Sequence, residues 1–232
     1  MSLFKKRNAP PTKPFICHID KTSYHEFASF DDAENWGMSR YSAWANTYKN
    51  VFSLTYARYT RYDSRHPLAL IEEPIELYCG YRYREINDYL RNHTVPSSFP
   101  KIPIYAATMS NAILSAPTTD LNLIAYRQVS DAAVQDILEA HENETLYCEK
   151  GFMSVALHKE TCIENCGNEP NVLKIYMPKN IPAVYVNSIV RRDEAELLIA
   201  PEMVLRLIAT PYLDPSEKMI YEVELLDMIA HK

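Results

Sequence analysis

The chain has 232 residues, 47% hydrophobic and 23% charged, a length and composition for one large or two small globular domains. A formal net charge of −6 excludes the broad basic footprint of a general nucleic-acid binder, and no apolar run approaches the ~18 residues of a membrane span. With four glycines and neither GxGxxG nor GxxxxGK[ST], the Rossmann and P-loop routes to a nucleotide are excluded as well.

Residues 1–14 are basic and proline-containing but lack an apolar core, so they are expected to be a flexible leader rather than a signal peptide. Residues 15–232 then form a single domain, mainly helical over 15–120 and a β core over 121–232. Asp31 or Asp32 is placed to cap a helix through Trp36, Tyr41 and Trp44. A polar, tyrosine-rich stretch follows over 46–66. Residues 68–78 read as a second helix, with Pro74 an awkward member; Gly80 ends it and 81–91 form a third. Three prolines make 94–103 a loop, and 105–115 form a fourth helix. Beyond it, short β-like runs occupy 121–127, 152–157, 172–177, 183–186, 194–200, 204–209 and 219–226, with a helix over 131–141. So little intervening helix predicts an α+β fold, with helices packed on a core of two small, mostly antiparallel sheets.

The run over 194–200 holds Glu194 and Glu196 two residues apart. On a strand they project from one face while Ala195 and Leu197 pack on the other. Adjacent carboxylates repel, so their pairing calls for a functional reason. Arg127 ends an earlier apolar run, and Ser154 sits within another. A guanidinium at a strand end can grip phosphate oxygens with paired donors. The five cysteines, Cys17, Cys79, Cys148, Cys162 and Cys166, form no disulfide framework. Cys162 and Cys166 are four apart but have no matching second pair, and the histidines form no ligand pattern, so no metal is expected. Cys79 reads as core rather than nucleophile.

An arginine, a serine and Glu-x-Glu on successive strands resemble the arginine–serine–glutamate class of bacterial mono-ADP-ribosyltransferase exoenzymes, including the enzymatic components of binary toxins such as iota toxin. The resemblance covers about residues 27–228. It includes Tyr78, Tyr83 and Asn87, followed by Leu90-Arg91, and an opening acidic-Ala-x-x-Trp-Gly segment ahead of Tyr41 and Trp44. It implies the ADP-ribosyltransferase fold, with NAD bound as substrate and no metal. Tyr78, Tyr83 and Asn87 would border the NAD pocket, and Arg127 would hold the pyrophosphate. Ser154 would steady the glutamate and the nicotinamide ribose. Glu196 would bind that ribose as nicotinamide departs, and Glu194 would face an acceptor arginine.

Residues 158–170 correspond to a mobile lid, and 187–193 to a target-recognition loop that carries Arg191-Arg192 where relatives often have an aromatic residue. Two other departures stand out. Val155-Ala156 follow Ser154 where the family has further hydroxyls, and Gln128 follows Arg127 where some relatives have a second arginine.

The resemblance implies a toxin-type transferase moving ADP-ribose from NAD to an arginine of a target protein, actin among the candidates. The chain would be a monomer without a nucleic-acid partner. It would be secreted or delivered without an N-terminal signal peptide, alone or as part of a larger toxin, and act in the cytosol. The alternatives are an NAD glycohydrolase with water as acceptor, and a decayed transferase kept as an interaction module.

Overall fold

The computed structural model describes residues 12–62, 70 and 72–226. Most of the predicted leader and residues 63–69, with His66 and Leu68, lie outside the described residues. Of the leader, Thr12 and Lys13 are held by carboxylates: Thr12 Oγ1 donates to Glu142 at 2.6 Å, and Lys13 pairs with Glu144 at 2.7 Å.

Helix α1 spans Phe30–Tyr62. Its cap is Ser29 rather than either aspartate: Ser29 Oγ accepts from the Asp32 backbone N–H at 3.1 Å and donates to the Asp32 carboxylate at 2.8 Å. Ala33, Gly37, Tyr41 and Ala45 form its buried stripe. A Cβ on Gly37 would occupy the Tyr185 ring, so this approach requires glycine. The helix runs on through most of the expected polar stretch, because no glycine or proline interrupts 46–62.

Helix α2 is Pro74–Leu77. Pro74 opens it instead of interrupting it, since a first-turn proline lacks an N–H that would have no partner anyway. Glu73 caps it, accepting from Ile75 N at 3.1 Å and Glu76 N at 2.7 Å. Gly80 does not break the chain's coil: a π-helical turn, Tyr78–Arg82, joins α2 to α3, Tyr83–Asn92. This widened turn buries Tyr78 and Cys79. Helix α4, Ile102–Ser115, starts earlier than expected because Pro103 fits its first turn.

The strands are β1 (Leu123–Val129), β2 (Tyr147–Glu149), β3 (Met153–Ala156), β4 (Asn171–Met177), β5 (Ala183–Tyr185), β6 (Glu196–Ile199), β7 (Met203–Leu207), β8 (Tyr212–Leu213) and β9 (Met219–Leu226). Two helices lie among them, α5 (Asp131–Glu142) and α6 (Lys159–Asn165). The strands β2 and β8 were not foreseen, being too short to show a pattern.

The sheet order is β2-β7-β9-β4-β1-β3-β6-β5, with β8 on β9. The β4–β9 pair is parallel and the other named pairs are antiparallel. Among the described residues the strands form one nine-stranded sheet, where two small sheets were expected: its two ladders, β2 to β1 and β3 to β5, join through the register pair Tyr126–Ala156. One large core, with Tyr41, Ile86, Phe152, Tyr185 and Leu197 among it, ties α1, α3 and α4 to the strands. Among the described residues, no helix is long and apolar enough to cross a membrane.

Candidate active site

Ala156 is in register with Tyr126 on one side and Glu196 on the other. The three sequence motifs therefore lie on neighbouring strands β1, β3 and β6. Ser154 faces Leu198 across the ladder, which makes Glu196 its diagonal neighbour on the same face. Ser154 Oγ donates a hydrogen bond to Glu196 Oε1. Arg127, one residue past Tyr126, completes the edge of a cleft of about 300 Å³. All seven residues singled out from the sequence line it: Tyr78, Tyr83, Asn87, Arg127, Ser154, Glu194 and Glu196. Arg192, Cys79, Asn165 and Cys166 line it as well, unforeseen. No periodicity marks them, because they come from a loop, a π turn and the end of α6.

The Glu-x-Glu geometry differs from the expected one. Strand β6 begins at Glu196, and Ala195 has a φ of 44°. Glu194 thus belongs to the turn before the strand, and the two carboxylates share the cleft through that left-handed residue rather than through strand alternation. The Ala195 carbonyl accepts from Leu157 N at 3.0 Å, which anchors the turn to the end of β3. Arg192 bridges the pair. Its Nη2 lies 2.5 Å from Glu194 Oε1, and its Nε lies 3.8 Å from Glu196 Oε2.

Glu196 is 6% exposed. Burial pushes its carboxyl above the ordinary carboxylate value. The Ser154 hydrogen bond opposes that rise, Glu194 adds to it, and Arg192 and Arg127 oppose it. Glu196 Oε2 and Arg127 Nη1 are buried without a hydrogen-bond partner among the described residues. A carboxylate oxygen and a guanidinium nitrogen, each buried with no hydrogen bond, in one cleft fit a ligand that carries hydroxyls and phosphates. Burial likewise pushes the Cys79 thiol well up, aided by the Glu196 charge, which suits a core residue and not a nucleophile. Cys166 is also pushed up, first by its hydrogen bond with Cys162 and then by burial. Among the described residues, no cluster has the makings of a metal site.

Tyr78 and Asn87 do not offer their polar atoms freely to the cleft. Asn87 Nδ2 donates to Tyr78 Oη at 3.1 Å and to the Phe152 carbonyl at 3.2 Å. Tyr83 is 44% exposed at the rim, with the Arg84 guanidinium over its ring.

Gln128 is a structural tie. Its Nε2 donates to the Cys162 carbonyl at 2.6 Å and the Gly167 carbonyl at 3.1 Å, and its Oε1 accepts from Glu169 N at 2.8 Å. The segment expected to be a mobile lid therefore contains α6 and is pinned to β1. Asn165 Nδ2 in turn donates to the Asp193 carbonyl at 2.7 Å, fastening α6 to the loop before the glutamates. Ala156 packs in a second apolar cluster with Tyr126 and Cys162.

A second cleft of about 410 Å³ shares Arg127 and Gln128 with the first. It also holds Arg91, whose guanidinium grips Glu149 with two bonds of 3.0 Å.

The fold is similar to that of Plx2a, an ADP-ribosyltransferase toxin from Paenibacillus larvae: 18% identity over 85% of this chain and 96% of that one, TM-score 0.62. It is similar to BECa, an ADP-ribosylating toxin of a binary enterotoxin of C. perfringens solved with NADH, at 17% identity and TM-score 0.64. That match covers 88% of this chain and 50% of BECa, so the chain spans half of BECa's length. Vis, an ADP-ribosyltransferase from Vibrio splendidus solved with agmatine, is similar at 18% identity over 88% of this chain and 85% of Vis, TM-score 0.55. No curated protein sequence matches the chain. The family model for the ADP-ribosyltransferase exoenzymes matches residues 33–208, most of its length. The chain belongs to the ADP-ribosyltransferase exoenzyme family.

Proposed function

We propose that this protein transfers the ADP-ribosyl group of NAD to an arginine side chain of a target protein and releases nicotinamide. The observation that carries this reading is the Ser154–Glu196–Glu194 cluster, facing Arg127 across one cleft. Arg127, with an unsatisfied Nη1, would receive the pyrophosphate. The two clefts that share Arg127 offer room on either side of it for the two halves of a dinucleotide.

Glu196 would take the nicotinamide ribose. Its Oε1 is held by Ser154, which leaves Oε2 for the sugar. As the bond to nicotinamide lengthens, the ribose gains oxocarbenium character. A carboxylate at ~4 Å stabilises such a cation by about 4 kcal/mol at an effective dielectric of about 20, or roughly a thousandfold in rate. Glu194 would orient the acceptor. A guanidinium stays protonated far above neutral pH, so Glu194 takes the proton as the new C–N bond forms. The likeness to an enzyme solved with NADH and to another solved with agmatine, an arginine analogue, supports both halves of this reading.

The target would be a protein with an accessible arginine, actin being one candidate, reached in the cytosol of a recipient cell. The test is incubation with NAD and agmatine, following nicotinamide release and label on agmatine together. Nicotinamide release over many turnovers, with agmatine unlabelled and the chain unmodified, would replace transfer by hydrolysis. No release, and no heat on titrating NAD, would end the enzymatic reading.

A further inference from the structure

Arg192 already makes the contact with Glu194 that the proposed mechanism asks of a substrate arginine, and lies beside the atom assigned to the ribose. Its Nη2 lies against Glu194 Oε1 at 2.5 Å, and its Nε lies 3.8 Å from Glu196 Oε2. Its Nη1 donates to the Cys79 carbonyl on the π turn, so the guanidinium is held from both walls of the cleft. The loop that carries it is tied down next door, where Asn165 grips the Asp193 carbonyl at 2.7 Å. Arg191, by contrast, is exposed.

We propose that Arg192 is a self-modification site: the protein transfers ADP-ribose from NAD to its own Arg192. The inference rests on the arginine-acceptor reading of Glu194. In the step, the bond between the ribose C1′ and the nicotinamide nitrogen breaks, and nicotinamide leaves with the electron pair. Arg192 Nη2 forms the new bond to C1′, and its proton passes to Glu194. A tethered, oriented acceptor outcompetes a free one at ordinary concentrations, because its positional entropy is already lost. The modified side chain then fills the place an external arginine would need.

The test uses the full chain with NAD alone. Intact-mass analysis follows the gain of one ADP-ribose, and fragmentation locates it, with agmatine labelling measured in parallel. One increment on Arg192 is expected, at a first-order rate independent of protein concentration. The increment should vanish in Arg192→Lys and persist in Arg191→Lys. Labelled agmatine beside an unmodified chain, or a chain modified elsewhere, overturns the self-modification and leaves the proposed function standing. A rate that grows with protein concentration overturns the intramolecular step. Nicotinamide release with neither agmatine nor Arg192 modified overturns both readings together.

Discussion

Asn87 pairs with Phe152 as a neighbouring strand would. Its Oδ1 accepts from the Phe152 N–H at 2.9 Å, and its Nδ2 donates to the Phe152 carbonyl at 3.2 Å. Phe152 immediately precedes β3, so this side chain on α3 fixes the height of Ser154. Gly151 makes the approach possible, since a Cβ there would lie 2.9 Å from the Asn87 side chain. Asn87→Ala should leave the buried Phe152 N–H unpaired and cost about 1–3 kcal/mol. Gly151→Ala should act in the same direction by displacing Asn87. Thermal denaturation checks both. Unchanged melting temperatures would mean that the clamp does not position the strand.

Glu196→Gln should abolish nicotinamide release and transfer alike, by roughly a thousandfold, because both pass through the same cationic ribose. The fold should gain stability at neutral pH. Burial raises the Glu196 pKa above the ordinary value of 4.5, so its contribution to stability is fully present below 4.5 and is lost as pH rises through the folded value. The variant should therefore melt higher than the wild type at pH 7, and the gap should close as pH falls toward 4.5. Hydrolysis at near wild-type rate in the variant would remove Glu196 from the chemistry.

Glu194→Gln should remove transfer to agmatine yet retain much of the NAD hydrolysis, since water needs less orientation than a guanidinium. Paired measurement of nicotinamide and labelled agmatine decides. Parallel loss of both would place Glu194 on the NAD side of the cleft.

Arg127→Ala should weaken NAD binding more than it slows the bound complex. Losing one charge-assisted hydrogen bond of about 1.5–3 kcal/mol raises the dissociation constant roughly 10–150-fold. Calorimetry with NAD reads this directly. An unchanged affinity would show that Arg127 does not grip the phosphates.

The pH profile of kcat should show an acid limb above the ordinary carboxylate value, because Glu196 must be ionised to serve and burial raises its pKa. Arg192 and Arg127 hold that pKa down. Replacing Arg192 by methionine removes one of these cations, so the limb should move to higher pH. A limb that moves down, or stays in place, would show that Arg192 does not act on Glu196.

Some of this was legible along the chain and some was not. Short apolar runs marked seven of the nine strands among the described residues, because alternation and β-rich composition are local properties. Arg127, Ser154 and Glu196 could be singled out by their places in those runs. That β1, β3 and β6 lie side by side depended on the register pairs at Ala156, which are long-range and leave no trace in any window of sequence. Pro74 and Gly80 were misread for a similar reason: a proline suits a helix start as well as it harms a helix interior, and a π turn can carry the chain through a glycine. The sequence by itself pointed to the family, the α+β class and seven of the residues that gather in the cleft. Only the tertiary structure decided that Ala195 turns left-handed, that Gln128 ties α6 to β1, and that Arg192 spans both glutamates. The first two depend on which distant backbone atoms lie within hydrogen-bond reach, and the third on the turn that folds near neighbours together; packing, not local pattern, sets all three.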